Sequence, residues 1–570
     1  MRSIVAKLVI TLVITTVVSI TVAASEYSSR QPRLIVILVV DQMRANYIDR
    51  FKHQWTAGLR RLINDGAWFR LAAHPYLNTV TCAGHATVAT GTFPATHGIV
   101  ANEWWDRKSA EAVTCTNDSL VTSISYDLSP SSSGHSGWRL RVPTLADELR
   151  AQLPIAPRVV TQSLKARSAI MLAGQHGDAV SWFDPSHGWT TSTAFTSAEV
   201  PFLENFFKTN SVTQDYGKSW EKTLNASNYL FPESEDGKKP DQGWTTEWPH
   251  HLNSPSGVPD QTFRSLWRHS PYSDEYLSQL AMYSVDTLKL GQGESTDYLA
   301  IGFSALDYSG HDFGPHSHEV QDILIRLDRT IGNLLDHLDR TVGVGEYVVA
   351  LTADHGVSPI PEQIVKLKID SGRIDSKSVA ESVEKILAKA WGPGQFVALV
   401  KDTDLYFKSG VYEKLQADPL LLDAVINSLL AIPGIERVYR GNELDVRRIT
   451  DDYSSRRAAA LSYDRERSGD LIMVPQAYWL ASKDAASHGT SHHYNTRVPI
   501  LLMGKSIKPG EYLTEATPAD IAPTLAFLTG ITLTQAEGRV LTEAIASSPN
   551  SASKIITKHQ AFQRAYTPEP

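Results

Sequence analysis

Residues 34–41 read LIVILVVD, an unbroken apolar run, mostly β-branched, that stops abruptly at Asp41. The same shape returns at 297–307, DYLAIGFSALD, ending at Asp307, and at 346–356, EYVVALTADHG, where Asp354 is followed by His355 and Gly356. Apolar runs without alternation read as strands covered on both faces, the mark of a helix-flanked parallel sheet. In such sheets ligands bind outside the carboxyl ends of the strands. If the three strands are neighbours, their terminal acids converge on one cleft. The expected fold class is therefore α/β, a central, mostly parallel sheet flanked by helices, with loop-rich and small α+β insertions.

Outward from these runs, Val320, Ile323, Leu324, Leu327, Ile331 and Leu335 recur at helical spacing, which predicts a one-faced helix leading into the strand that ends at Asp354. Near the C-terminus, Thr517-Pro518-Ala519-Asp520 combines an N-cap, a first-turn proline and an acid at the capping-box offset, and Gly530 offers a stop. Two stretches break the rhythm. Residues about 186–265 are rich in Trp, Ser, Pro, Asp and Gly and are expected to be a loop-rich insertion. Residues about 360–480 read as a small inserted subdomain with a strand-like FVALV, a helix opened by Asp418-Pro419 and a strand-like LIMVP at Leu471–Pro475. The catalytic domain is expected over 33–545, with a polar tail over 546–570.

The chain has 570 residues and a formal charge of −8, which argues against a nucleic-acid coat or a polybasic membrane binder, since both need concentrated positive charge. At 42% hydrophobic and 20% charged it has the composition of an ordinary folded protein. Arg2 and Lys7 precede an apolar stretch from Leu8 that ends in Val22-Ala23-Ala24, a signal-peptide pattern with cleavage expected after Ala24. The run is shorter than the roughly 20 apolar residues of a membrane span, so no stable span is expected after cleavage, and the mature protein is expected in the periplasm or secreted. Cys82 and Cys115 are the only cysteines. They form either one bridge, contributing about 2–4 kcal/mol, or a pair of buried thiols.

Asp307 and His311 stand four apart directly after a strand, a separation at which both can meet one metal ion. Asp354-His355 is a second such pair, and His488 precedes another apolar run, VPILLM. A buried Asp at a strand end more often caps a turn, but three of them, two with a histidine attached, favour a metal centre. Oxygen and nitrogen ligands without thiolates favour zinc, and so many ligands suit two ions about 4 Å apart. Thr79 and Thr81 precede a run of small residues able to start a helix, where exposed N–H groups and the helix dipole favour anions.

The strings VVDQMR (39–44), TVTCAGHAT (79–87) with HGIVAN (97–102), SLKAR (163–167), DYSGHDFGPHS (307–317), TADHG (352–356) and SHGTSHHYNTRVP (487–499) occur in the order of the alkaline phosphatase superfamily. The chain resembles most closely its exported, monomer-type bacterial alkaline phosphatases with a threonine nucleophile, relatives of the type I phosphodiesterases and nucleotide pyrophosphatases. The resemblance implies an alkaline-phosphatase-like fold and two zinc ions per chain. Asp307, His311 and His488 would hold one ion; Asp41, Asp354, His355 and the hydroxyl of Thr81 would hold the other. It further implies Thr81 as nucleophile, Asn102 as a hydrogen-bond donor to a phosphoryl oxygen, Lys165 and Arg167 as the cation pair that marks the monoesterases, and His85 as a structural residue.

The implied activity is hydrolysis of small phosphate monoesters by a monomer, through a covalent phospho-threonine. The alternative on the same scaffold is a phosphodiesterase or nucleotide pyrophosphatase. Those relatives tend to carry a proline two residues after the nucleophile, where this chain has Ala83. A sulfatase would need Cys or Ser at position 81. A metal-dependent phosphate-binding protein without turnover would be told apart by a chromogenic ester assayed with and without chelator.

Overall fold

Leu34–Val40 (β1) is a strand whose seven side chains are all buried. A computed structural model describes residues 31–129, 131, 133–240, 243–449 and 454–546, so the expected leader and tail lie outside the described residues. In chain order the same sheet contains Ala67–Ala72 (β2), Ser123–Ser125 (β3), Val159–Ser163 (β4), Ala179–Asp184 (β5), Gly188–Ser192 (β6), Asp297–Phe303 (β7), Tyr347–Thr352 (β8), Ile500–Gly504 (β9) and Gly510–Ala516 (β10). Their spatial order is β10-β2-β9-β8-β1-β7-β4-β5-β6-β3. The central five, β8-β1-β7-β4-β5, are parallel, and β9 and β6 flank them antiparallel. Val39 lies opposite Gly302 and Thr352, so β1, β7 and β8 end nearly level at one edge.

The helices that position this edge are Thr81–Thr90 (α1), Ala166–Ala173 (α2), Ala305–Phe313 (α3), His318–Leu338 (α4) and Ile521–Thr529 (α5). Alternate residues of β1 enter two cores. Val36 and Leu38 pack with Ile323, Leu327, Ile331 and Leu335 of α4, and Ile35 and Ile37 with Ile521 and Leu525 of α5. Both faces of the strand must therefore be apolar, which is why its sequence does not alternate. α4 starts where Ser317 Oγ accepts the Val320 N–H, and α5 follows the Thr517–Asp520 capping box and ends at Gly530, at φ 72°.

The expected loop-rich stretch from 186 needs one correction: Gly188–Ser192 is β6 of the main sheet, paired with both β5 and β3. Buried Trp189, Thr190 and Thr191 favour a strand, a preference masked in the sequence by the turn residues Pro185, Ser186 and Gly188 beside them. Within 360–480, Val397–Lys401, Asp404–Phe407, Leu471–Pro475 and Ile435–Arg440 form a separate four-stranded sheet. The helices Ser376–Trp391 and Pro419–Leu430 share its own small core. Among the described residues no helix is long and apolar enough to cross a membrane.

α1 lies hard against the end of β8. A Cβ on Gly84 would stand 2.2 Å from the Asp354 carbonyl oxygen and 2.6 Å from its Cβ. Gly84→Ala is therefore expected to lower the unfolding free energy by about 1–3 kcal/mol in urea titration, and an unchanged midpoint would refute so close a contact.

Candidate active site

Each element ends in a reactive side chain on the same edge of the sheet. Asp41 directly follows β1, and Asp354 and His355 follow β8 after a single alanine. β7 runs into α3, whose first turn carries Asp307 and whose next turn carries His311 on the same side. β4 runs into α2, with Lys165 as the N-cap residue and Arg167 in the first turn. Because β8, β1, β7 and β4 are adjacent, the acids converge, and Lys165 of the SLKAR segment arrives beside them.

The acids and imidazoles form two groups. Asp307, His311 and His488 bring ligand atoms within 4.8 Å of one another, as do Asp41, Asp354 and His355. His311 Nε2 lies 3.3 Å from Asp307 Oδ1, and His355 Nε2 lies 3.4 Å from Asp41 Oδ1 and 3.3 Å from Asp354 Oδ2. All three histidines are oriented alike. His311 Nδ1 meets Ala486 O at 2.9 Å, His355 Nδ1 meets Gly356 O at 3.0 Å and His488 Nδ1 meets Thr79 O at 2.9 Å. A ring whose Nδ1–H is spent on a carbonyl presents a bare Nε2, the form that binds a cation.

The pocket is built for positive charge. Asp41 Oδ1 and Asp354 Oδ2 are buried and accept no hydrogen bond among the described residues. Burial, with repulsion from Asp307 and Asp354, pushes the Asp41 carboxyl well above its usual range. Lys165 Nζ forms ion pairs with both Asp41 and Asp307. Burial alone would lower the lysine's pKa, but those two carboxylates outweigh it and raise it. Burial and the neighbouring His355 and His311 rings hold His488 well below its ordinary value, and therefore neutral. Burial lowers His355 too, whereas at His311 burial is outweighed by the Asp307 carboxylate, which raises the ring to about 9. Imidazoles that turn Nε2 toward under-bonded carboxylates are the donor set of a divalent cation, so both groups fit a metal ion.

Thr81 is the first residue of α1, and its buried Oγ1 lies 3.5 Å from His355 Nε2. The Thr79 hydroxyl donates to Thr490 O at 2.9 Å and is committed elsewhere. Asn102 Oδ1 accepts the Cys82 N–H at 2.8 Å, which fixes the amide orientation and leaves Nδ2 as a donor. Arg167 makes no ion pair among the described residues, and its buried Nε has no hydrogen-bond partner. His85 sits behind the second group, with Nδ1 2.9 Å from Thr81 O and 3.3 Å from Asp354 Oδ2. Cys82 and Cys115 are joined in a disulfide.

Two supporting residues were not visible in the sequence. Gln42 turns the chain after β1 with φ 70°, donating its N–H to Asp354 Oδ1 (3.2 Å) and Nε2 to Asp307 Oδ1 (2.8 Å). Gly310 makes room for it, since a Cβ there would lie 1.8 Å from Gln42 Oε1. Buried Asp274 accepts the Ser304 and Ala305 N–H groups at 3.0 and 3.3 Å, holding the start of α3 in place. Only the string VVDQMR hinted at Gln42, and nothing in the local pattern marked Asp274.

A family model described as type I phosphodiesterase / nucleotide pyrophosphatase matches residues 35–496. The chain belongs to this family. Within it, the chain is similar to alkaline phosphatase PafA of Elizabethkingia meningoseptica, 31% identical over 90% of this chain and 95% of that one. It is also similar to a Myroides odoratus protein named calcium-transporting ATPase (29%; 89% and 93%) and to alkaline phosphatase PhoV of Synechococcus elongatus (28%; 90% and 93%). The crystal structure of PafA superposes with a TM-score of 0.84 at 29% identity, covering 90% of this chain and 99% of that one. A second PafA structure is of a variant substituted at a threonine, an asparagine, a lysine and an arginine.

In this family member, Gln42 ties the two acid–histidine groups together. Loss of such an orienting hydrogen bond typically weakens metal binding by 10–100-fold. Gln42→Ala is therefore expected to lower metal affinity by at least about tenfold in competition with a chromogenic chelator, and equal affinities would remove Gln42 from the site's support.

Proposed function

We propose that the chain is an alkaline phosphatase that hydrolyses phosphate monoesters to inorganic phosphate and an alcohol through a phospho-threonine at Thr81. The observation that carries this reading is Lys165, which pairs with one acid of each acid–histidine group, with Arg167 in the first turn of the same helix. A monoester presents two negative charges on its non-bridging oxygens, and a diester one fewer, so two extra cations favour the monoester. The names of PafA and PhoV agree with it, as does the residue order threonine, asparagine, lysine, arginine of the substituted PafA variant, which Thr81, Asn102, Lys165 and Arg167 repeat.

The reading takes two zinc ions, one held by Asp307, His311 and His488, the other by Asp41, Asp354, His355 and Thr81 Oγ1. When bound, they would supply the charge that favours the threonine alkoxide and offsets charge on the leaving oxygen. Thr81 Oγ attacks phosphorus at the amino end of α1. Thr81 gives up its hydroxyl proton to water, the Oγ–P bond forms as the ester P–O bond breaks, and the leaving alkoxide takes a proton from water. A second water then attacks the phospho-threonine, restoring the Thr81 hydroxyl and releasing phosphate. Asn102 Nδ2, Lys165 and Arg167 hold the non-bridging oxygens throughout. Export, with the leader removed after Ala24, suits the Cys82–Cys115 bridge, because disulfides persist in oxidising compartments. The catalytic domain spans 33–545 and acts as a monomer.

Thr81→Ala is expected to cut steady turnover of a mono-aryl phosphate by at least about a thousandfold while metal content stays near wild type; full activity would sink the assignment of the nucleophile. Lys165→Ala and Arg167→Ala should each lower kcat/KM for that monoester by about a hundredfold and for a bis-aryl diester by far less. Equal losses, or a wild-type preference for the diester, would favour the phosphodiesterase reading instead.

A further inference from the structure

We infer that the Cys82–Cys115 disulfide is a positioning element for phosphoryl transfer: it holds the Asn102 amide at a fixed place beside Thr81. The inference rests on the reading of Asn102 as a phosphoryl-oxygen donor.

Asn102 immediately precedes the hairpin formed by Glu103–Asp106 and Glu111–Thr114. That hairpin is a two-stranded sheet of its own, and one of its strands is largely exposed. Two strands paired only with each other are marginal in water, so the hairpin is placed by what anchors it, the buried Trp104 side chain and the bridge at its mouth. Glu103 pairs with Thr114, which puts Asn102 and Cys115 across from each other at the hairpin's mouth. There the Cys115 N–H donates to Asn102 O at 2.9 Å. On the other side, the Cys82 N–H donates to Asn102 Oδ1 at 2.8 Å. The disulfide then joins Cys82 to Cys115 directly. Two hydrogen bonds and one covalent bond thus close a small ring around Asn102, and one corner of it is the residue next to Thr81.

The bridge is built into the core. Cys82 is 0% and Cys115 1% exposed, packed in one cluster with Val100, Ala101, Trp104 and, from α2, Ala169 and Ile170. It therefore fixes the hairpin's mouth to the first turn of α1 and packs in the same core as the helix that starts after Lys165. Without it, the hairpin's mouth would meet α1 only through a hydrogen bond and packing. The Asn102 amide could then pivot, and a donor misplaced by about 1 Å loses much of its effect.

The test is a double-mutant cycle in the full, metal-loaded protein, comparing wild type, Asn102→Ala, Cys82→Ala/Cys115→Val and the triple variant. Metal content and melting of each are read first, and Cys82→Ser/Cys115→Ser replaces the bridge variant if that one does not fold. Bridge removal is expected to lower monoester kcat/KM by about tenfold when Asn102 is present and by less than about twofold when it is Ala. The inhibition constant of inorganic phosphate should rise in the same pattern. Equal losses in both backgrounds would make the bridge merely structural and overturn the inference while leaving Asn102 in its role. If Asn102→Ala alone costs nothing, the reading of Asn102 fails, and the inference fails with it.

Discussion

Three carboxylates buried side by side at the ends of β8, β1 and β7 repel one another, and the rest of the site is arranged around that repulsion. Like charges about 4 Å apart cost on the order of 4 kcal/mol at the effective dielectric of a protein site. Burial together with this repulsion pushes the Asp41 carboxyl well above its usual range, and the Lys165 ammonium is drawn between Asp41 and Asp307. The imidazoles, with Nδ1 tied to backbone carbonyls and Nε2 turned to the acids, complete a pocket that accepts positive charge. The parallel sheet makes this arrangement enforceable, because a core strand apolar on both faces cannot slip without breaking two cores.

The same constraint reconciles the acidic chain with a phosphate substrate. A formal charge of −8 describes the whole molecule. At the edge of the sheet the acids belong to groups shaped for cations, and the Lys165 ammonium lies between two of them. Net charge excludes a polyanion coat; it does not govern a site where a few ions decide the local field.

Legibility in the sequence followed the range of each interaction. LIVILVVD, DYLAIGFSALD and EYVVALTADHG announced strands because burial on two faces leaves a local record, and α4 was readable residue by residue from its one-sided periodicity. The candidate metal-binding groups were readable because each acid follows its own strand closely, Asp41 and Asp354 at the strand end and Asp307 in the first turn of α3. β6 was not, since turn-forming neighbours concealed Trp189, Thr190 and Thr191. Gln42 and Asp274 act across hundreds of residues or from helix to strand end, and spacing along the chain carries no trace of that. The Cys82–Cys115 pairing stayed open in the sequence for the same reason, as two cysteines carry no sign of whether the fold brings them together.

The most direct test of two metal-binding groups converging on Thr81 is anomalous diffraction at the zinc absorption edge from crystals of the zinc-loaded protein with vanadate. The account predicts two strong peaks, one among Asp307, His311 and His488 and one among Asp41, Asp354 and His355, with vanadium bonded to Thr81 Oγ1. A single peak, peaks elsewhere, or vanadate bound away from Thr81 would contradict it.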